Sequence, residues 1–154
     1  MVNGYLLDTN QVSKLLDNHP SVVNRVASVG ISKIFTSAIV CGELVFMARH
    51  SRHKVENLDK VSLFIRQITV LPIDTETSLL YGEIKENFLK RFGPKSLKER
   101  AKFPLERIGL RDNDLWIAAT AIKHDLTLVS ADKDFGRIRE VHDFNLEAWW
   151  TPEP

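Results

Sequence analysis

"RDNDLWIAATAIKHDLTLVSAD", residues 111–132, runs a helix of small and apolar side chains directly into a short stretch of Leu, Thr and Val. The spacing predicts a helix from Asp112 or Asn113 to His124 and a strand over 126–132. A helix feeding a strand of this kind is half of the unit from which parallel α/β folds are built. Acids stand at both ends. Asp112 and Asp114 open the helix, and Asp132 follows the strand. A helix start explains one of the first two, because a carboxylate there offsets free backbone N–H groups. That role suits Asp112, or Asn113 in its place. Asp114 lies a turn ahead of Ile117, Ala118 and Ala121, so its carboxylate is aimed at the interior.

The same alternation extends outward from this stretch. Strands are expected at 4–7, 33–38 and 69–74, the last ended by Pro72. A fifth is expected at 144–150, with Phe144, Leu146 and Ala148 turned inward. Helices are expected at 9–18, at 21–30 (Val22, Val26, Val29, then Gly30 as a stop) and at 38–50. Another fits 54–68, where Val55, Leu58, Val61, Ile65 and Ile68 recur at helical spacing, and another fits 75–92. Residues 93–111 read as loop, 133–141 as a short turn or helix, and 151–154 as a frayed tail. The expectation is an α/β fold: one domain over 1–154, with a mostly parallel central sheet flanked by helices.

Composition narrows the function classes without choosing among them. Hydrophobic residues make up 44% and charged residues 27% of the 154, and the net charge is +1. Cys41 is the single cysteine and reads as a small buried hydrophobe. One cysteine forms no internal disulfide, and a reducing compartment is the simplest setting. The apolar runs are too short to span a bilayer, and "MVNGYLLDTN" lacks the basic start of a signal peptide. A cytoplasmic protein is expected.

Three further acids invite a chemical reading. Asp8 and Asp132 directly follow expected strands, where open α/β sheets gather functional groups. Each is also explained by a helix cap or Asx turn. Glu43 has Ile39, Val40, Phe46 and Met47 as its helical neighbours, so it is expected on an inward face. An ionised carboxylate there needs a partner, either an Arg or Lys or another cation. Four carboxylates at one end of a sheet repel one another unless a divalent ion joins them. All-oxygen ligands select hard ions such as Mg²⁺ or Mn²⁺, which activate water and stabilise a phosphodiester transition state.

"LLDTN", "SAIVCGEL", "NDLWIAATAIKHDLTLVSADKDF" and "FNLEAWW" together resemble the PIN domain, and among PIN domains the compact bacterial VapC-type toxins. The resemblance spans nearly the whole chain. It implies a Rossmann-like fold and a metal-dependent endoribonuclease whose acids fall on Asp8, Glu43 and Asp114. The fourth falls on Asp132, with Asp134 the other choice. Thr9 or Asn10 would support Asp8, and Ser37 and Ser130 stand where the family often has a hydroxyl; capping or turn bonds are the alternative for each. The resemblance also implies a small antitoxin partner and a homodimer.

Residues 90–111 carry eight basic and two acidic residues, so the rest of the chain is net acidic. Lys95, Lys98, Arg100 and Lys102 are the candidates for holding an RNA backbone, with Phe92 and Phe103 available to stack on bases. The alternative is a solvated loop pinned by the two Phe side chains. Residues 48–54 are a second basic cluster, read equally as an exposed helix end. Competing functions are a housekeeping RNA-processing nuclease, a PIN-like scaffold that does not cut, and an aspartyl-phosphate enzyme or receiver. "DTN" lacks the second Asp that such a phosphatase needs.

Overall fold

The computed structural model describes residues 2–154. Among them, five strands form one sheet: β1 (Tyr5–Leu7), β2 (Ile34–Ser37), β3 (Thr69–Leu71), β4 (Thr127–Val129) and β5 (Leu146–Glu147). Their order is β3-β2-β1-β4-β5 and every pairing is parallel. The expectation of a mostly parallel sheet is met by an all-parallel one. The chain builds β1, β2 and β3 in one direction, then returns to the other side of β1 with β4. The β1/β4 boundary is therefore the switch point, where crevices form beyond the carboxyl ends of strands.

Helices flank the sheet: α1 (Thr9–Leu16), α2 (Pro20–Val29), α3 (Ala38–Arg49), α4 (Lys54–Gln67), α5 (Thr75–Phe92), α6 (Leu97–Arg100), α7 (Asp112–Lys123) and α8 (Asp134–Arg139). The core is aliphatic and continuous, from Leu6 and Leu7 of β1 through Val40 and Leu44 to Ile117, Leu128 and Val129. Buried strands covered on both faces read as apolar runs, which is why "YLL" and "TLV" were legible.

α5 and α7 fix the position that matters most. Tyr81 stacks flat on Trp116, with ring centroids 3.7 Å apart and planes 6° from parallel. The Tyr81 hydroxyl donates to Asp112 Oδ1 at 2.5 Å, and Lys85 Nζ donates to the same oxygen at 3.3 Å. Asp112 thus opens α7 in its first turn, as expected, and also ties that turn to α5. Ala118, Ala119 and Ala121 are wholly buried, so α7 lies close against its neighbours.

Several local expectations need correction. Residues 93–111 are not all loop: Ser96 caps α6 by accepting from Glu99 N, and Leu105–Ile108 forms a 3-10 turn. β5 is two residues long, and after it Trp149 is buried while Ala148 is exposed. The alternation fails because the Trp149 indole packs on Tyr5 and its Nε1 donates to Glu147. Val55 of α4 is exposed, and Phe64 takes the inward place instead. Phe46 and Met47 are also exposed, so the apolar face beside Glu43 borders an open groove rather than the core. Cys41 is half-buried rather than buried, and burial pushes its thiol pKa up, away from reactivity. Phe92 packs on Phe88 and beneath Arg137, and Phe103 lies under Arg107. Both rings pack against the core and pin the loop, rather than standing free for bases.

Candidate metal centre

The site lies at the carboxyl ends of β1 and β4. Asp8 directly follows β1 and caps α1, and its carboxylate is almost fully buried. Oδ1 accepts from Thr9 N at 2.8 Å, while Oδ2 accepts from the Ser130 hydroxyl at 2.6 Å and from Asn10 Nδ2 at 3.3 Å. Ser130 follows β4 and also accepts from Asp132 N at 3.0 Å. Asn10 Oδ1 accepts from Ala131 N at 3.0 Å, so α1 and the turn after β4 are joined side chain to backbone. The cap reading and the site reading of Asp8 therefore describe one carboxylate in both roles.

Asp114 is wholly buried at the start of α7. One ligand oxygen each from Asp114, Asp132 and Asp134 lies within 4.8 Å of the others. Glu43, on α3, lines a groove with Asp8 and is linked to Asp114 through Arg111. That guanidinium places Nη2 3.1 Å from Asp114 Oδ1 and Nη1 3.6 Å from Glu43 Oε2. Gly109 adopts φ +74°, a left-handed turn that glycine takes without strain, just before the chain reaches Arg111. Asp132 Oδ1 accepts from Asp134 N at 2.9 Å, and Asp134 is paired with Arg137 at 3.2 Å.

The electrostatics follow from this crowding. Burial pushes the Asp114 carboxyl up to about 7, with the charges of Asp132 and Asp8 adding and Arg111 opposing. Burial also raises Asp8, against the bonds from Ser130 and Thr9. It raises Glu43 too, where Arg111 opposes and Asp8 adds. Protein groups leave this charge incompletely matched. Asp114 Oδ2, Glu43 Oε1 and Thr9 Oγ1 are buried without a hydrogen-bond partner. An orphaned carboxylate oxygen inside a protein is costly. Hard oxygen donors with free lone pairs, facing a cluster of like charges, fit a divalent cation.

The structure thus couples Asp8, Glu43, Asp114 and Asp132 electrostatically and sets Asp134 beside Asp114 and Asp132. Thr9, Asn10 and Ser130 are part of the site. Ser37 is not: its buried hydroxyl caps α3 by accepting from Val40 N at 3.1 Å. Among the basic candidates, Lys95, Lys98 and Lys102 are exposed. Arg100 is turned inward, donating to the carbonyls of Pro94 and Lys95 and reaching Glu86, so it fastens the loop and is not free for a phosphate. Arg111 was counted with the basic loop and belongs instead to the acids. Gln11 also escaped the sequence reading. It is fully buried, donates to Asn10 Oδ1 at 2.9 Å, and is the link by which the network reaches the segment after β5. A buried amide signals such a link only once its burial is known.

Two grooves open from the site. One, about 640 Å³, is lined by Ile39, Glu43, Phe46, Met47, Arg111 and Asn113 among others. The second, about 320 Å³, starts at Asp8 and runs along α1 past Lys14 to Trp150. No helix among the described residues is long and apolar enough to cross a membrane.

Comparison with known proteins identifies the family and the fold. The family model "PIN domain" matches residues 5–141. Ribonuclease VapC2 of Rickettsia felis is 30% identical over 150 residues, covering 94% of this chain and 97% of its own. The crystal structure of VapBC2 from Rickettsia felis, bound to a DNA fragment from their promoter, superposes with a TM-score of 0.72 at 26% identity. It covers 97% of this chain and 100% of that one. DNA-bound VapBC from Salmonella typhimurium shares the fold at a TM-score of 0.76 and 23% identity, again over 97% and 100% of the two chains. The chain belongs to the PIN domain family and, within it, groups with the VapC ribonucleases.

Proposed function

We propose that this protein is an endoribonuclease that hydrolyses RNA phosphodiester bonds as the toxin of a VapBC-type pair, using Mg²⁺ or Mn²⁺. The observation that carries the reading is the buried pair of partnerless oxygens, Asp114 Oδ2 and Glu43 Oε1, the first within the cluster of Asp114, Asp132 and Asp134. Asp8, Glu43, Asp114 and Asp132 would hold the ion, with Asp134 at the margin because Arg137 already pairs with it. A hard divalent ion in such a site supplies a lowered pKa for water and polarisation of the phosphoryl oxygen.

The chain's own groups do the rest. Glu43 lines the groove, and its carboxylate would orient the attacking water and take its proton as the new P–O bond forms and the bond to the leaving oxygen breaks, that oxygen drawing its proton from solvent. Ser130 and Asn10 hold the Asp8 carboxylate in one rotamer, so that it does not reorganise during the reaction. Arg111, on the rim, offsets the negative field that would otherwise repel a phosphate. Lys95, Lys98 and Lys102 hold the RNA backbone farther out.

The remaining assignments rest on the family. The partners are a cognate antitoxin and a second copy of this chain, the setting is the cytoplasm, and residues 1–154 act as one domain. The toxin reading is preferred over a housekeeping nuclease because the similar structures named above are VapBC complexes. The test is cleavage of single-stranded RNA by the purified chain in Mg²⁺ or Mn²⁺. Cleavage that stops in EDTA and returns on adding metal supports the reading. RNA left intact under every metal condition overturns it.

A further inference from the structure

The groove lined by Asp8 also holds a pair of side chains that the metal site does not use. Lys14 Nζ sits 4.4 Å from the centroid of the Trp150 ring, and His19 meets the same ring edge-on at 6.5 Å. Trp150 is half-buried and lines the groove together with Asn10, Ser13 and Arg111. Its neighbour Trp149 faces the other way, packed on Tyr5 with its indole N–H given to Glu147. Trp149 is thus a core residue, whereas Trp150 packs against the edge of the core and also lines the groove, which Phe92 and Phe103 do not.

The position of Trp150 is tightly specified. Gln11 Oε1 accepts from the backbone N–H groups of Trp149 and Trp150, at 3.2 and 3.0 Å. Gln11 Nε2 donates to Trp150 O and to Asn10 Oδ1, both at 2.9 Å. The buried amide thus uses both donors and both acceptor positions. Through Asn10 it connects the Trp150 backbone to Asp8 and Ser130. An aromatic face with a cation, held at a fixed offset from the acids and opening into the same groove, is the arrangement that binds single-stranded nucleic acid.

We propose that Lys14 and Trp150 form a nucleotide subsite beside the metal centre: the indole stacks on a base next to the cleaved bond, and Lys14 holds that nucleotide's phosphate. This rests on the RNA reading above and assigns it a binding direction, along α1 away from Asp8. Stacking is tolerant of sequence because every base has a π face, so the subsite contributes affinity and register more than base identity.

The test uses the full chain carrying Asp114→Asn, so that RNA stays intact, with a fluorescein-labelled single-stranded RNA of about ten nucleotides in Mg²⁺, read by anisotropy. Trp150→Ala and Lys14→Ala should each weaken binding on the order of tenfold, and Trp150→Phe should keep most of the affinity. Lys14→Ala should also reduce the salt dependence by the slope of about one phosphate contact. The same changes in the otherwise wild-type chain should leave Mn²⁺ affinity unaltered, which separates a lost subsite from a disturbed fold. RNA affinity unchanged by both Trp150→Ala and Lys14→Ala in the Asp114→Asn background, while the wild-type chain cuts RNA, overturns the subsite alone. A wild-type chain that neither binds nor cuts RNA overturns the subsite and the RNA reading together.

Discussion

Arg111 Nη2 lies 3.1 Å from Asp114 Oδ1, and the same guanidinium reaches Glu43 Oε2 at 3.6 Å. Each carboxylate gives Arg111 one oxygen and keeps the other buried without a partner. Arg111 is therefore the protein's own counter-charge in the site, shared between Asp114 Oδ1 and Glu43 Oε2.

Removing that counter-charge should favour a bound cation. Arg111→Gln is expected to tighten Mn²⁺ binding about fivefold, the scale of one exposed charge worth roughly 1 kcal/mol. It should also lower the melting temperature of the metal-free protein, because Asp114 and Glu43 lose the guanidinium they share. Titration calorimetry and melts in EDTA measure both effects. Weaker Mn²⁺ binding in Arg111→Gln would mean that the guanidinium builds the site rather than balancing it.

The two acids that open α7 should separate cleanly. Asp112→Ala loses the bonds from Tyr81 and Lys85 at a half-exposed position, for a cost of about 1 kcal/mol of stability. Its Mn²⁺ affinity should stay at the wild-type level. Asp114→Asn should keep the fold and lose the metal. Denaturant melts and metal titrations of the two variants form the comparison.

Asp132 and Asp134 should differ for a related reason. Asp134 already has a cation in Arg137, which is itself braced by donating to Ile108 O at 2.7 Å. Asp132 has no such partner among the described residues. Asp132→Asn should weaken Mn²⁺ binding by at least the roughly tenfold that loss of a supporting group costs, and Asp134→Asn by less. The reverse order would make Asp134 the fourth ligand.

The pH dependence carries a definite sign. An unfolded Asp ionises near 3.9, while burial holds Asp114 at about 7 in the fold. Between those values the metal-free folded state keeps a proton that the unfolded chain has released. Its stability therefore falls as pH rises across this window and levels off above it. In EDTA the wild-type melting temperature should decline from about pH 4 to about pH 7, with a flatter profile for Asp114→Asn. With Mn²⁺ the trend should oppose this, because the ion takes the ionised carboxylate and its stabilisation grows with pH.

Much of this was legible in the sequence, for identifiable reasons. β1, β4 and α7 announce themselves because buried parallel strands are short apolar runs and α7 has a continuous small, apolar face. Asp8, Asp114 and Asp132 stood out because they interrupt or end those runs. Ser96 and Glu99 form a helix-start pattern inside residues 93–111 that goes with α6, and it was readable there. Phe46 and Met47 misled, because apolarity on a helix marks an inward face only when something packs on it. Arg111 and Arg100 lie in one basic stretch, yet one enters the metal centre and the other bonds to Pro94, Lys95 and Glu86. Charge counting gives the field of a segment, and only the path of the chain gives the direction of each side chain. Lys14, Gln11 and Trp150 meet across more than 130 residues, a relation that no local pattern encodes.

Titrating Mn²⁺ into the wild-type chain and into Asp114→Asn by calorimetry at about pH 8 tests the account at its centre, since Asp114 is then ionised. The account predicts saturable binding to the wild type and its loss, or a weakening of a hundredfold order, in a variant whose melting profile shows it folded. Equal Mn²⁺ binding by the two proteins would contradict it, because the buried carboxylate at the start of α7 would then have no part in holding the ion.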